Sequence, residues 1–471
     1  MRNAKIICTI GPASDSEEML TKLAEAGMDV ARLNFSHGTH EEHLKKIKLI
    51  RKISNRLKKP VAILQDLQGP KIRIGKFADP PISLNPGDLF TITTDEKTVG
   101  NENIVSTSYK NLANDVQHGD QILVNDGLIK LRVIEKTETD VFCEVVNGGN
   151  LYDRRGINLP GVKISEPSLT AKDKDDLQFG LDNGVDYVAL SFVRDAQSLR
   201  DIKKIIGKKN VPVIAKLEKP EALNNLDEII AETDGVMVAR GDLGVEIFSA
   251  RVPVVQKEII GKCIKAGKPV ITATQMLDSM MTNPIPTRAE TSDVANAVFD
   301  GSDAVMLSGE TAFGKFPVES VTMMKSIICE AEKRSAYFRL KPVDRRHTEH
   351  HEFSHSICYA AYFAANEMHA KYIVVFTRSG YTAAVMSALR PDVPILALTP
   401  NINTVHRLTL YWGVMPVHLE EMLDIEDDMS QLEKYLKKNK WVKSGNNIVV
   451  ISGSSREAGG TNSLRLHAIR K

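Results

Sequence analysis

Short apolar runs alternate with longer amphipathic stretches along most of this chain. The runs are almost continuously apolar, as in strands that are buried on both faces of a parallel sheet, and the stretches between them have helical periodicity. We therefore predict eight strands, at 4–10, 30–35, 61–67, 186–192, 211–218, 235–241, 269–275 and 304–309. Helices are predicted at 15–26, 40–58, 195–207, 221–232, 253–266 and 289–299. Eight β-α units in series predict an α/β fold of the (β/α)₈ TIM-barrel type, because each parallel connection needs a crossover helix.

One of these connections is far too long for a single helix. About 120 residues separate the third and fourth predicted strands, whereas most connections are short. Turn sequences alternate there with short β-like runs, at Asn85–Asp88, His118–Asp120, Asn125–Gly127 and Asn147–Gly149. We interpret residues 71–166 as a small inserted β-barrel domain. It leaves the barrel at the carboxyl ends of the strands, where such barrels carry their active sites, so we expect a lid.

We interpret the polar segment Lys341–His350 as a linker to a further domain. Beyond it, strands are predicted near 371–377, 394–399, 414–418, 447–452 and 464–469, which is typical of a separate α/β layer domain. The predicted division is a discontinuous catalytic barrel, an inserted lid and a C-terminal regulatory domain: residues 1–70 with 167–340, 71–166, and 341–471.

Composition and charge exclude several classes of protein. The chain has 471 residues, 42% of them hydrophobic and 26% charged, which is enough to bury a substantial core. A net charge of +1 gives no general attraction to nucleic acid or to an anionic membrane. The five cysteines show no paired spacing, and no signal peptide or apolar run of ~18 residues is visible. We expect a cytoplasmic enzyme without a membrane span, and no further phosphotransfer domain beyond Lys471.

Polar side chains stand at the carboxyl ends of the predicted strands, inside otherwise apolar runs. In a buried strand each of them costs desolvation energy unless it is paired or used. One or two could form core ion pairs, but the whole set at one end of the strands is typical of a barrel active site. The set is Arg32, Asn34, Ser36, Asp66, Lys216, Glu218, Arg240, Asp242 and Thr274.

The chemistry of these residue types favours phosphoryl transfer assisted by a metal. Glu218 and Asp242 are hard oxygen ligands, suited to Mg²⁺ or Mn²⁺. Lys216 lies two residues before Glu218, on the same face of the strand, and can neutralise a phosphoryl group in transit. Arg32 can hold phosphate oxygens from the other side, and Thr274 offers a hydroxyl for a proton relay or a substrate carboxylate.

Several motifs in this chain closely resemble those of pyruvate kinases. They occur in the family's order over nearly the whole length, including the insert and the C-terminal part, and so many collinear motifs are very specific. The motifs are Ile7–Pro12, Ala31–Gly38, Asn125–Gly127, Ile214–Glu218, Met237–Gly244, Ala273–Leu277 and Leu307–Ala312.

This resemblance implies transfer of the phosphoryl group of phosphoenolpyruvate to ADP, giving pyruvate and ATP in glycolysis. It implies that Lys216 stabilises the group in transit, that Arg32 contacts it and that Thr274 supports protonation of the enolate. Glu218 and Asp242 would bind the divalent ion, and the backbone around Gly241 and Asp242 the substrate carboxylate. The family's nucleotide-side residues would be Asn34, His37, Arg73 and Lys172, and the family's oligomer implies a homotetramer.

The third strand departs from the pattern of many family members. Those continue as Asp-Thr-Lys-Gly-Pro-Glu and hold K⁺ beside the active site, whereas this chain has Asp66-Leu67-Gln68-Gly69-Pro70-Lys71. We hypothesise that the Lys71 ammonium supplies the positive charge near Asn34, Ser36 and Asp66, which would make K⁺ unnecessary. Alternatively, Lys71 points into solvent at the hinge of the insert.

The loop Thr377–Thr382 lies between a predicted strand and a predicted helix. Its hydroxyls and backbone N–H groups are suited to a phosphate, and the loop is similar to the family's sugar-phosphate effector site. We expect a sugar-phosphate or nucleotide effector to contact Thr377, Arg378, Ser379, Gly380, Tyr381 and Thr382. An ordinary capped turn is the alternative interpretation.

Other patterns favour ordinary structure. His351–His355 matches the zinc-protease pattern H-E-x-x-H without an evident third ligand, and we interpret it as a helix start. Leu44–Lys59 is basic but carries an apolar stripe, which favours an outer barrel helix over a nucleic-acid site. Two alternative functions are a Mg²⁺-dependent aldolase or lyase acting on a pyruvate enolate, and a non-catalytic scaffold. The scaffold would be expected to have lost Lys216, Glu218 or Asp242.

Overall fold

A closed barrel of eight parallel strands forms the centre of the molecule, as the computed structural model shows. The structure describes residues 2–333, 352–420, 428–453 and 460–470. The predicted eight strands are confirmed, each slightly shorter than predicted, and we number them as barrel strands one to eight. They are Lys5–Thr9, Val30–Asn34, Ala62–Asp66, Tyr187–Leu190, Val213–Leu217, Gly235–Ala239, Val270–Ala273 and Ala304–Leu307.

Helices surround the barrel in the order that the sequence predicts, with two differences. The predicted helix 221–232 is divided at Asn225, and four helices escaped prediction: Ala171–Asp182, Arg240–Glu246, Gly309–Ala312 and Pro317–Lys333. The barrel helices are Glu17–Ala26, His40–Leu57, Ala171–Asp182, Ala196–Ile206, Pro220–Asn224, Leu226–Glu232, Arg240–Glu246, Val252–Ala266, Arg288–Asp300, Gly309–Ala312 and Pro317–Lys333. Short 3₁₀ turns lie at Gly207–Lys209, Ser249–Arg251 and Asp278–Met281.

The basic helix His40–Leu57 illustrates how local sequence sets these elements. Thr39 and Glu42 form a reciprocal capping box at its start, and Lys58 ends it in the left-handed conformation. Ile47, Ile50 and Ile53, at helical spacing, are buried against the barrel. The prediction of an outer barrel helix with a solvated basic face is therefore confirmed.

The insert between barrel strands three and four forms β-sheets with a core of their own. A six-stranded sheet has the order Ile157–Asn158, Gln121–Val124, Ile129–Lys136, Asp140–Asn147, Leu89–Thr93, Ile104–Ser106. Gly149–Leu151 pairs with Ile82–Leu84, and a short helix lies at Leu112–Asp115. The insert leaves barrel strand three directly after Asp66, so it stands at the carboxyl ends of the strands.

The C-terminal part is a five-stranded sheet with helices. Four parallel strands and a final antiparallel one have the order Val414–His418, Ile395–Thr399, Tyr372–Phe376, Asn447–Ser452, Ser463–Ala468, which confirms the predicted strands. The helices are Glu352–Glu367, Tyr381–Ala388, Ile402–Leu408 and Met429–Lys438. The predicted linker Lys341–His350 and His351 of the H-E-x-x-H pattern lie outside the described residues.

The C-terminal sheet docks at the amino ends of the barrel strands, opposite the insert. Leu410 completes the buried apolar cluster inside the barrel, and the Tyr187 hydroxyl donates to the carbonyl of Arg407 over 2.7 Å. Arg390 forms an ion pair with Asp303, which precedes barrel strand eight, at 2.9 Å. The carboxyl ends of the barrel strands therefore face the insert and not the C-terminal sheet. In the described parts of the chain no helix is both long enough and apolar enough to cross a membrane.

Candidate active site

Lys216 is the centre of a buried polar cluster at the carboxyl ends of the barrel strands. Its Nζ lies 3.1 Å from Asp66 Oδ1 and 2.9 Å from Glu218 Oε1, and it donates to Ser191 Oγ over 2.7 Å. Its side chain is 11% exposed and those of both acids 1%. Barrel strands three and five thus bring one ammonium between two carboxylates, which offsets the cost of burying all three charges.

The charge states in this cluster are fixed by mutual pairing. Burial alone would lower the pKa of Lys216, but Asp66 and Glu218 raise it well above its ordinary value. Burial alone would raise the pKa of Asp66, yet Lys216 and Arg32 hold it below the ordinary value. Lys216 is therefore a fixed cation and not a general base at neutral pH.

Arg32 adds a second cation at the end of barrel strand two. Its Nε donates to Asp66 Oδ2 over 2.6 Å and its Nη1 to Thr9 Oγ1 over 2.9 Å. Parallel pairing places Arg32 beside Leu64, two residues before Asp66, and this register brings the guanidinium to the carboxylate. Two cations thus converge on one acid, and both are groups that can also bind an anionic substrate.

Glu218 and Asp242 fit a divalent cation. Burial raises the pKa of Glu218, Lys216 opposes this rise, and the negative charge of Asp242 adds to it. Glu218 Oε2 accepts from the Phe192 N–H over 2.8 Å, which fixes the carboxylate, whereas Asp242 is 31% exposed and faces a cleft. One buried hard oxygen donor and a second one beside open space suit Mg²⁺ or Mn²⁺, which keep water and substrate oxygens as further ligands.

Thr274 stands where barrel strand seven ends, in a strained backbone conformation. Its φ is +69°, which is rare for a β-branched residue, and Gln275 follows at +52°. The Thr274 hydroxyl accepts from the Gly241 N–H over 2.8 Å and donates to the Ala273 carbonyl over 2.6 Å. The strain therefore aims the hydroxyl at the start of the helix Arg240–Glu246, whose first N–H groups have no acceptor within the helix.

A cleft of ≈ 840 Å³ separates the barrel from the insert. Its lining includes Lys71 and Asp126 of the insert and Gly241, Asp242 and Thr274 of the barrel. Lys71 Nζ lies 4.0 Å from Asp242 Oδ1. The ammonium of Lys71 is therefore directed toward the cleft.

Four of the predicted residues surround His37 with positive charge. Burial first, then Arg73, Lys71, Arg32 and Lys172, lower the pKa of His37 below its ordinary value of 6.5. Arg73 Nη1 donates to the Arg154 carbonyl over 3.1 Å, so it lies on the insert. A neutral imidazole among four cations is an environment that suits the phosphates of a nucleotide.

The remaining predicted residues of the barrel are placed by short contacts. Lys172 Nζ donates to the Phe35 carbonyl over 2.8 Å and to Asp176 Oδ2 over 2.6 Å. Asn34 Oδ1 accepts from the Ser36 N–H over 3.1 Å, and Asn34 pairs with Asp66 across strands two and three. The proposed monovalent-cation region is thus contiguous with the cluster around Lys216.

The predicted effector loop lies elsewhere, in the C-terminal sheet. Thr377 Oγ1 accepts from the Gly380 N–H over 3.0 Å, and Thr382 Oγ1 lies 2.5 Å from Thr461 Oγ1. The hydroxyls of Thr377 and Thr382 are therefore already engaged in contacts within the protein. Ser379 is exposed and Arg378 and Tyr381 are half-buried, so these three side chains are the accessible ones.

Two polar groups, Ser191 and Glu310, were missed by sequence reasoning, and Arg240 was predicted without a role for its side chain. Ser191 accepts from Lys216 and donates to the Leu67 carbonyl over 2.7 Å, although it follows barrel strand four directly and a search of strand ends would have found it. Arg240, named only as a strand-end residue, is held by Asp293 at 2.7 Å. Glu310, whose pKa burial raises, accepts from the Leu277 and Ser308 N–H groups. Its position in the motif Leu307–Ala312 was the available indication.

Comparison with protein families gives two matches that together span most of the chain. Residues 1–321 match the family described as the barrel domain of pyruvate kinase, and residues 355–467 match its alpha/beta domain. The first match covers the barrel strands and the insert together. The two matched regions therefore correspond to the parts of the fold described above.

Individual relatives align with this chain over its full length. A pyruvate kinase from Staphylococcus saprophyticus is 46% identical over 475 aligned residues, covering 100% of this chain and 81% of the relative. A pyruvate kinase from Staphylococcus aureus is 45% identical with the same coverage of both. Among solved structures, a pyruvate kinase from Cryptosporidium parvum superposes with a TM-score of 0.90 at 37% identity, covering 99% of this chain and 96% of that one.

Proposed function

Because the chain belongs to the pyruvate kinase family, whose members transfer the phosphoryl group of phosphoenolpyruvate to ADP, we propose that the cluster around Lys216 performs this transfer. The observation that carries the assignment of roles is the buried Lys216 ammonium, held between Asp66 and Glu218 with Arg32 beside it. Phosphoryl transfer needs positioning and concentrated positive charge more than covalent catalysis.

In the proposed mechanism, Lys216 and Arg32 hold the oxygens of the phosphoryl group while it passes from the enol oxygen to the terminal phosphate of ADP. Lys216 is a permanent cation because its partners raise its pKa. Its positive charge is held in place before the reaction, so no reorganisation is needed when negative charge spreads over the group in transit.

The divalent ion is proposed to be held by Glu218 and Asp242, and Mg²⁺ or Mn²⁺ suits both donors. When bound, the ion polarises the substrate oxygens and offsets their charge. Glu218 is kept in orientation by the Phe192 N–H and by Lys216. Asp242 follows Gly241, so the first N–H groups of the helix Arg240–Glu246 would receive the substrate carboxylate beside this metal ligand.

Thr274 is proposed to support protonation of the enolate that remains after transfer. Its hydroxyl already bridges the Gly241 N–H and the Ala273 carbonyl, so its position does not depend on the substrate. A hydroxyl held in this way can relay a proton from solvent to the methylene carbon, which completes pyruvate.

The nucleotide is proposed to bind between the barrel and the insert, contacting Asn34, His37, Arg73 and Lys172. The positive charge around His37 supports this location. Arg73 belongs to the insert and Lys172 to the barrel, so a nucleotide that contacts both would close the cleft between them. We propose residues 71–166 as the limits of this lid, with residues 341–471 as the regulatory domain.

Three properties beyond the reaction are also proposed. The Lys71 ammonium, 4.0 Å from Asp242, takes the place of K⁺ beside Asn34, Ser36 and Asp66, so activity should not require that ion. A sugar phosphate or nucleotide is proposed to bind at Thr377–Thr382, where Arg378, Ser379 and Tyr381 are the accessible side chains. The proposed assembly is a homotetramer.

The direct experiment measures pyruvate formation from phosphoenolpyruvate, ADP and Mg²⁺ by the unaltered chain and two lysine variants. Lys216→Met should lower kcat by roughly 10²–10³-fold, the usual effect of removing a group that stabilises transition-state charge. Lys268→Met is the matched control, because Lys268 also lies partly buried in the barrel but donates to the Thr233 carbonyl.

Equal loss of activity in both lysine variants would contradict the role of Lys216. No ADP-dependent pyruvate from folded, metal-bound wild-type protein would instead favour the aldolase interpretation, in which ADP plays no part.

A further inference from the structure

A second buried lysine lies directly beside the proposed metal ligand Glu218. Lys219 Nζ is 2.6 Å from Glu246 Oε1, and the two side chains are 6% and 1% exposed. Neither residue has a role in the proposed mechanism. A pair so completely buried is expensive to desolvate and contributes little net stability, so its use must be sought in what it holds together.

The pair joins the two segments that carry the metal ligands. Lys219 is the residue after Glu218, at the end of barrel strand five. Glu246 is the last residue of the helix Arg240–Glu246, four positions after Asp242, so both acids lie on one face of that helix. The contact between Lys219 and Glu246 therefore ties the helix that carries Asp242 to the segment that carries Glu218.

The insert is attached to the same carboxylate. Asn158 Nδ2, in the strand Ile157–Asn158 of the insert, donates to Glu246 Oε1 over 2.8 Å. Glu246 Oε2 is buried and has no hydrogen-bond partner among the described residues. Its charge is therefore compensated through Oε1 alone, by one lysine and one amide from different parts of the fold.

We infer that Lys219 is a positioning residue: through Glu246 it holds Asp242 at the distance from Glu218 that a divalent cation requires, and Asn158 couples the insert to this arrangement. The inference rests on the proposed function, since it assumes that Glu218 and Asp242 bind the ion. Groups that orient metal ligands without touching the metal are typically worth 10–100-fold in metal affinity.

The test measures the dissociation constant of Mn²⁺ by electron paramagnetic resonance on the full-length protein without substrates. Lys219→Met removes a positive charge near the site, so an electrostatic effect alone would tighten Mn²⁺ binding. Loss of positioning has the opposite sign, and we expect binding weaker by roughly 10-fold or more. Lys219→Arg, which keeps the charge and can reach Glu246, should recover most of the affinity.

Two further variants keep the result interpretable. If Lys219→Met is poorly folded because Glu246 is left charged and unpaired, the double variant K219M/E246Q leaves the net charge unchanged and should show the same weakening. Arg390→Met breaks the Arg390–Asp303 ion pair at the opposite end of the barrel and should bind Mn²⁺ as the wild type does.

The outcomes separate this inference from the function on which it rests. Unchanged or tighter Mn²⁺ binding by folded K219M and K219M/E246Q would overturn the positioning role. Mn²⁺ binding by Glu218→Gln as tight as that of the wild type would instead overturn the proposed metal site. Weakening in K219M and Glu218→Gln, with Arg390→Met unaffected, supports both.

Discussion

Lys71 and Asp242 face each other across the entrance of the active-site cleft, with Nζ 4.0 Å from Oδ1. Lys71 lies where the chain leaves the barrel for the insert, and Asp242 is a proposed metal ligand on the barrel. Each side chain is about one-third exposed, at 32% and 31%. The contact is therefore worth little as an ion pair. The contact matters because it shows that the Lys71 ammonium points toward the active site and the carboxylate of Asp242.

We expect Lys71→Glu combined with Leu67→Thr to make activity dependent on K⁺. The double variant restores an acid and a hydroxyl at the positions where many family members have them, and removes the internal cation. Pyruvate formation should then rise many-fold when K⁺ replaces tetramethylammonium, whereas wild-type rates should be similar in both salts.

Lys76→Glu is the matched control for this double variant. Lys76 lies five residues further along the same segment but is exposed, so its variant should remain independent of K⁺. A wild-type rate that itself rises many-fold with K⁺ would contradict the role given to Lys71.

The pKa of His37 should rise when Lys71 is replaced by Gln. Burial lowers this pKa first, and nearby cations including Lys71 lower it further because they repel the imidazolium. Removing one cation relieves the repulsion. NMR titration of labelled histidine would measure the shift, with the His37 signal assigned by its loss in His37→Gln and with Lys76→Gln as the control. No rise in Lys71→Gln would mean that the two groups are not neighbours in solution.

The lowered pKa of His37 also has a consequence for stability. At pH values between the folded pKa and the ordinary value of 6.5, the unfolded chain binds more protons at this residue than the folded chain. The contribution of neutral His37 is therefore complete above about pH 6.5 and declines as the pH falls below it. Lys71→Gln should reduce this decline, because it brings the two pKa values closer together.

Much of the fold could be predicted because its strands are short, nearly continuous apolar runs. The barrel strand Val213–Leu217 is apolar up to Lys216, and a lysine followed by Glu218 at the end of such a run has no structural reason to be there unless it is used. The strands of the insert were indicated by the turn residues between them. The helix Ala171–Asp182 was missed because its sequence is rich in charge and only weakly amphipathic.

The sequence could not predict which side chains contact each other in the folded protein. Lys219 and Glu246 are 27 positions apart, and nothing in either segment indicates that they meet. Asn158 reaches the same carboxylate from 88 positions away, across the boundary between insert and barrel. Sequence patterns place residues on elements and faces, whereas such contacts depend on how the strands are registered and how the helices pack.

Two substitutions of Thr274 should distinguish the role of its hydroxyl from the effect of its strained backbone. Thr274→Ser keeps the hydroxyl and removes the β-branch that disfavours a φ of +69°, so we expect activity within a few-fold of wild type and no loss of stability. Thr274→Ala removes the hydroxyl, and kcat should fall by roughly 10²-fold or more if the hydroxyl relays the proton. Measuring kcat and the melting temperature of both variants tests this, and equal activities would exclude the proton relay.

A negative charge in the loop Thr377–Thr382 should abolish activation by a phosphorylated effector. Ser379 is exposed at the start of the helix Tyr381–Ala388, so Ser379→Glu places a carboxylate where a phosphate would bind. The probes are glucose 6-phosphate and AMP, each measured by the shift of the half-saturating phosphoenolpyruvate concentration. Ser430→Glu, at the start of another helix of the same sheet, is the control and should respond as the wild type does. A wild type insensitive to both probes, or an equal response from Ser379→Glu, would count against this site.

Two helix glycines should respond in opposite ways to the same substitution. In the helix Ala171–Asp182, a Cβ on Gly180 would lie 2.0 Å from Oε1 of Gln65, which is fully buried in barrel strand three beside Asp66. Gly180 thus allows the helix to approach the strand that carries part of the active site. In the helix Val252–Ala266, a Cβ on Gly261 would meet nothing within 4 Å.

Gly261→Ala should stabilise the protein by up to about 1 kcal/mol, the usual difference between the two residues in a helix. Gly180→Ala gains the same helix propensity, but the clash with Gln65 should outweigh it and cost about 1–3 kcal/mol. Melting temperatures followed by circular dichroism should therefore rise slightly for Gly261→Ala and fall by several degrees for Gly180→Ala. Activity should fall only in Gly180→Ala, since a displaced Gln65 moves its neighbour Asp66. Equal melting temperatures for the two variants would show that the helix can move away from the barrel without cost, which contradicts the close packing described for this side of the site.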